Sequence, residues 1–315
     1  MKTLIKVTVS LIVLVILASS LDWSAVFESM SRVSWWAIPV ASLLQVCAFL
    51  VGMTRWRTLL SVHDITYRKM ELVQPYFIGA FFNNFLPSST GGDVYRIYHI
   101  HNERHGAAAA FSPVITERLL GLTTLLVIST VAFQFYGGSA PLIVQVAHAA
   151  AVFLLALAGF LIFVGVPALY RPAHRFLERW SDKKIIRTFL TIAETNHEYI
   201  KHPLLVARIM LISALMHAFV TSVFWTLGQS IDSSLPLGTY LLIVPLILVS
   251  SGLPITIGGL GVREATGIAL LTSAGMMQPD AAVISILFIP TLLLASAPGL
   301  FFFFIRKKKK TNATR

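Results

Sequence analysis

The sequence predicts an all-α polytopic membrane protein: an inverted-topology repeat with six full spans, two re-entrant helical hairpins and both termini cytoplasmic. Three observations carry that expectation. Apolar residues make up 56% of the chain and charged residues 12%, with a mean hydropathy of +0.76, a balance foreign to a water-soluble domain. The pattern Leu-Pro-x-x-x-Gly-Gly-x-x-x-Arg occurs twice, as Leu86, Pro87, Gly91, Gly92, Arg96 and as Leu253, Pro254, Gly258, Gly259, Arg263, at an offset of 167 positions. Lysines and arginines, finally, collect in alternate connecting segments.

A helical crossing needs about 20 apolar residues, and windows of that kind lie at 4–20, 35–53, 119–135, 142–166, 204–227 and 281–305. The first follows Lys2 and Lys6 and ends near Ser19-Ser20, so it resembles a secretory signal. With so many spans behind it, an uncleaved signal anchor is the expectation. Two further apolar stretches, 72–86 and 237–257, run straight into the repeated pattern and are read as the first limbs of hairpins. Cys47 is the single cysteine of the sequence and sits inside an apolar run, so no intramolecular disulfide is available and a buried small side chain is expected.

Segment 55–69 holds four basic residues, segment 171–201 seven, and Arg306 to Lys310 five in a row, which places all three on the cytoplasmic side. Segments 21–34, 137–141 and 229–236 carry only Arg32 and face outward. The net charge of +11 is therefore an orientation signal, and no nucleic-acid partner is implied. Residues 72–86 start inside and the polar stretch 96–117 also reads as inside, so the first pattern turns back within the membrane; the second opens outward by the same counting. The offset of 167 pairs 35–53 with 204–227 and 119–135 with 286–302, and the members of each pair cross in opposite directions. One integral membrane domain, 1–315, results: first span and outer loop (1–34), repeat 1 (35–136), connecting span and cytoplasmic segment (137–203), repeat 2 (204–305) and basic tail (306–315). Residues 171–202 alternate apolar and basic side chains and read as an amphipathic helix or helix pair on the anionic leaflet, or else as a solvated connector.

In each hairpin, proline and paired glycines interrupt the helix and free backbone N–H groups, and the following half-helix turns its positive end toward the membrane interior. An anion is the natural occupant there. Arg96 and Arg263 each offer a planar fork of donors to a phosphate, and Gly261 with Glu264 extends the second pattern. A lipid phosphate head group is the expected cargo. Asp93, Glu117 and Glu264 are expected to pair with Arg96, Arg118 or Arg263, proton coupling through a released carboxylate being the other reading. Asp93 also reads as an N-cap, while Asn83 and Asn84 either satisfy broken-helix carbonyls or contact the head group. For the glycines, plain helix packing is the alternative to a site.

His99, His101 and His105 have no nearby cysteine and only Glu103 and Asp93 as carboxylates that could assist a metal, and they read as interfacial; no metal or cofactor is expected. Asn312-Ala313-Thr314 is a glycosylation sequon on the cytoplasmic side, where it stays inert. No Walker loop, dinucleotide fingerprint or nucleophile elbow is present, so an enzyme is not expected. The Phe301 to Phe304 run reads as lipid contact rather than a dimer seam, and the oligomeric state stays open.

Phe82-Asn83-Asn84-Phe85-Leu86-Pro87 with Gly91-Gly92-Asp93 and Arg96, then Glu117-Arg118 opening a span, then Gly258-Gly259-x-Gly261-x-Arg263-Glu264, resembles the transmembrane region of lysylphosphatidylglycerol synthases, also called the flippase-like domain family. The resemblance covers nearly the whole chain and implies this fold together with work on anionic lipids. No aminoacyl-transferase domain accompanies it, so synthase activity is not implied. The expectation is a transporter that moves a phospholipid or polyprenyl-phosphate-linked lipid across the cytoplasmic membrane through a midplane site; a membrane enzyme or accessory subunit acting on polyprenyl-phosphate or glycolipid intermediates is the alternative.

Overall fold

The computed structural model describes residues 2–85, 91–102, 107–179, 183–252, 256 and 259–313. Leu86, Pro87, Leu253, Pro254 and Gly258 of the repeated pattern, and His105, lie outside those residues. Among the described residues all regular structure is helical. α1 (Lys2–Ser20) meets α2 (Trp23–Ser31) at a bend of 84°, where the Asp22 carboxylate accepts from the backbone N–H groups of Ser24 and Ala25. The long helices are α3 (Ala37–Leu60), α6 (Ala107–Tyr136), α7 (Pro141–Gly165), α10 (Pro203–Gln229) and α13 (Gln278–Ala313). They supply five stretches long and apolar enough to cross a membrane, or six with the bent α1–α2 pair counted as one. Proline opens both α7 and α10, where its missing N–H leaves no hydrogen bond unmade.

The six windows anticipated from hydropathy fall inside these helices to within two residues, with one larger shift. The helix expected to open at Glu117-Arg118 begins at Ala107, so both charged residues sit inside α6. Four alanines at 107–110 favour the extra turns, and the partners described below accommodate the charges. The shorter helices are α4 (Lys69–Phe85), α5 (Gly91–Asn102), α8 (Pro167–Glu178), α9 (Lys184–Ile200), α11 (Leu237–Gly252) and α12 (Val262–Ser273).

Packing follows the two patterns. α3 lies along α10 at the centre; α4 packs on α13 as α11 packs on α6, and α3 meets α13 as α10 meets α6. Within residues 37–136 the contacts of α4 with α3 and α5, and of α6 with α3 and α5, are matched by those of α11 with α10 and α12, and of α13 with α10 and α12. α4 and α5 run antiparallel: Asn83 reaches Gly92 while Gly79, one turn earlier, touches Arg96. α11 and α12 do likewise, with Gly259 against Ser251 and Gly267 against Ile247.

The core between the halves is apolar, with Phe224 of α10 stacked on Phe288 of α13 at 4.6 Å and Tyr240 fully enclosed. Large apolar side chains face outward on the long helices, among them Leu43, Leu155 and Leu211 at 64%, 72% and 72% exposure, a surface suited to acyl chains rather than water. Phe301 and Phe304 belong to this outer face, whereas Phe303 packs edge-on against Phe82 at 5.2 Å. Cys47 is only half-buried, because its side of α3 leaves the helix contact. Below the bundle, α9 docks through Tyr199, whose hydroxyl donates to the Leu59 carbonyl and accepts from Ser112. α8 packs on α9 through Tyr170, stacked on His197 at 4.4 Å, and leaves Leu169 and Phe176 exposed beside Arg171, Arg175 and Arg179.

Candidate functional site

The site grows from the contact between α4 and α5. A Cβ on Gly92 would collide with the carbonyl of Gly79, so only glycine lets the two backbones meet there. The Gly92 N–H donates to Asn83 Oδ1 (2.8 Å), which places the cap of α5 on the preceding helix rather than on Asp93. Asp93 is drawn off by stronger partners. Its Oδ1 accepts from Arg96 Nη2 (2.6 Å) and its Oδ2 from Arg118 Nε and Nη2 (2.8 and 2.6 Å). Gly91 opens the helix one residue earlier, and Asn84 Nδ2 donates to Ser296 Oγ of α13 (3.0 Å) instead of to a carbonyl.

Arg96 is the middle of a longer row. Its Nη1 donates to Glu117 Oε2 (2.9 Å), and its guanidinium lies 5.1 Å from the Trp56 ring and 5.2 Å from that of Tyr76. Glu117 Oε1 accepts from Arg55 Nη2 (2.7 Å), and Arg55 Nη1 donates onward to Ser213 Oγ of α10 (2.9 Å). Arg55 passes over Gly121, where a Cβ would stand 3.1 Å from Nη1. The order is Arg55, Glu117, Arg96, Asp93, Arg118, with charges alternating from α3 through α6 and α5 and back to α6. Four of these side chains are 5–7% exposed, and Arg118 at the end is 45% exposed.

The row forms one wall of a cavity of about 470 Å3. α3, α4, α5 and α6 meet it from one half, and α10, α11 and α13 from the other, the latter with Met216, His217, Val220, Leu248, Val249 and Leu292. Asn83, Asn84, Asp93, Arg96, Glu117 and Arg118 of the expected site are thus brought together around one space. Arg55, Gln45 and His217 share it and were not singled out from sequence: Arg55 reads there as the first residue of a cytoplasmic basic segment, and a polar residue inside an apolar span is the signal that points to all three.

The second pattern is placed differently. Gly259 and Gly261 take φ of +78° and +86°, a region open to glycine, as the chain enters α12. Glu264 Oε2 accepts from the Gly261 N–H (2.6 Å), and Glu264 Oε1 accepts from Arg263 Nε and Nη2 (2.8 and 2.6 Å). The Arg263 guanidinium is covered by the Phe288 ring at 4.9 Å. Both charged residues are buried, and neither they nor Gly259 and Gly261 line the cavity. The structure therefore does not bring Arg96 and Arg263 to one site, because a neighbouring carboxylate already occupies the positive end of α12.

The family described as Lysylphosphatidylglycerol synthase TM region matches residues 3–299. A UPF0104 membrane protein of Pyrococcus horikoshii is 28% identical over 101 residues, which cover 31% of this chain and 30% of that relative.

Proposed function

The chain belongs to the lysylphosphatidylglycerol synthase transmembrane-region family, a multi-pass membrane domain linked to phospholipid handling, and we propose that it carries an anionic, phosphate-bearing lipid across the cytoplasmic membrane. The head group passes through the cavity between the halves while its chains remain in the bilayer. The observation that carries this reading is a cavity between helices of both halves that holds Arg55, Arg96 and Arg118 against only Asp93 and Glu117 among its described charged residues, an excess of one positive charge. A phosphodiester carries one negative charge and three of these guanidinium groups present forks that fit its oxygens. The matched packing of the two helix sets supports an inverted-topology repeat that rocks about α3 and α10 to open the cavity to either side, and the antiparallel α4–α5 and α11–α12 pairs support re-entrant hairpins with both termini inside. The pairing of Asp93 and Glu117 with arginines fits carboxylates that neutralise the empty site.

The test is head-group translocation in proteoliposomes with labelled phosphatidylglycerol, phosphatidylethanolamine and undecaprenyl phosphate, comparing the natural chain with Arg96→Met. Loss of charge-assisted hydrogen bonds of about 1.5–3 kcal/mol predicts a fall of about 10- to 100-fold for the transported lipid. Folded protein that moves none of the three, or an Arg96→Met variant as fast as the natural chain, rejects the transport reading.

A further inference from the structure

The cytoplasmic pair α8–α9 has two unlike outer faces. α9 turns Arg187, Thr191, Glu194 and Glu198 outward, charges of both signs with no large apolar side chain between them. α8 turns out Leu169 and Phe176, at 51% and 60% exposure, and beside them Arg171, Arg175 and Arg179. The three arginines recur every fourth residue, so they form one stripe along the helix next to the apolar one. Glu178 and Glu194, the acidic side chains at this joint, both engage His174 (3.4 and 2.6 Å).

Depth decides what the α8 face meets. α7 is apolar from Pro141 to Gly165, and Pro167 opens α8 two residues later. α9 then crosses the end of α7: Phe189 stands edge-on to Phe160 at 5.7 Å, and His197 Nδ1 donates to the Val164 carbonyl (2.6 Å). α8 runs antiparallel to α9, with Tyr170 on His197 and His174 on Glu194. The pair is therefore held beside the final turns of α7 rather than hung below them. Leucine and phenylalanine exposed at that level face the boundary between acyl chains and head groups, and neighbouring arginines reach the phosphates. A cytoplasmic leaflet supplies the matching negative charge.

We propose that α8 is a docking element for anionic lipid. It lies in the head-group layer of the cytoplasmic leaflet, with Leu169 and Phe176 among the upper acyl chains and Arg171, Arg175 and Arg179 on lipid phosphates, while α9 keeps its charged face in water. This surface is separate from the cavity, and the proposal stands whatever the cavity carries.

The experiment reads a nitroxide on the full chain in nanodiscs, attached at Ala168→Cys, an exposed position on the arginine side of α8, or at Thr191→Cys of α9, each in a Cys47→Ala background. Collisions with a water-soluble nickel chelate and with oxygen report whether each label sits in water or in lipid. In discs of equal parts phosphatidylcholine and phosphatidylglycerol, the label at position 168 is expected to meet the chelate about fivefold less often than in phosphatidylcholine alone, the factor that one interfacial arginine contributes. The label at position 191 stays open to the chelate in both. Combining Arg171→Gln, Arg175→Gln and Arg179→Gln removes the response to phosphatidylglycerol at position 168, and an unchanged reading at position 191 shows that the pair is still folded. Equal chelate exposure of the two labels in phosphatidylglycerol discs, or a reading at position 168 that ignores phosphatidylglycerol, overturns the proposal. So does dipolar broadening at position 168 that disappears on dilution with unlabelled chain, the mark of a second copy seated on the face.

Discussion

In the α4–α5 hairpin Arg96 shares two carboxylates with two other arginines, whereas in the α11–α12 hairpin Arg263 has Glu264 as its ion-pair partner. The difference lies in a handful of positions on a common scaffold. At the offset of 167, Asp93, Glu117 and Arg118 correspond to Leu260, Ile284 and Ser285, so the surroundings of Arg263 lack the residues that would extend its pair into a row. Gly121 corresponds to Phe288. In the first half the absent side chain gives Arg55 room to reach Glu117; in the second a phenyl ring closes over Arg263. One occurrence of the pattern forms an open polar wall, and the other a sealed joint that holds the start of α12.

The sharpest way to break that contrast is Arg263→Met. It leaves Glu264 buried with a single backbone N–H as its remaining hydrogen-bond donor, and the expected loss is about 3–5 kcal/mol, measured as unfolding free energy of the purified protein in mixed detergent. Adding Glu264→Leu to the same chain should return most of it, since no orphaned charge then remains. Arg96→Met ranks second. Glu117 keeps Arg55 and Asp93 keeps Arg118, so about 1–3 kcal/mol is expected in the same assay; a loss exceeding that of Arg263→Met would reverse the proposed division of labour between the hairpins. Arg118→Met ranks last, at about 1 kcal/mol or less, because its side chain is 45% exposed and solvent screens the pair. A larger loss there would mean that the row ends in a buried site, not at an accessible one.

The spans were legible because hydropathy over about 20 residues is a strong signal, and the windows at 35–53, 142–166 and 204–227 lie within α3, α7 and α10 but for two residues at the start of α3 and one at the end of α7. The start of α6 was not legible, because Glu117 and Arg118 look like the polar end of a span until their partners on α3 and α5 are known. Asp93 shows the same limit. Its position fits a cap, but a carboxylate within reach of two guanidinium groups is taken by them, and Asn83, ten positions earlier, caps the helix instead through the Gly92 N–H. Arg55 was hidden by its neighbours, since Arg57, Arg68 and Lys69 make it read as one of a basic cluster. Its separation from them is a matter of helix face and of the space above Gly121, neither of which spacing along the chain records.

Each carboxylate in the row from Arg55 to Arg118 is gripped from both sides. Any one guanidinium can therefore swing to a passing anion while both carboxylates keep a cation, and no stage of such an exchange strands a bare ion in the low-dielectric interior. A singly held pair such as Arg263 and Glu264 has no such slack. Under the proposed transport function, redundancy of grip makes this row a hand-over-hand rail, along which an anionic head group entering at Arg118 would advance in small, nearly level steps.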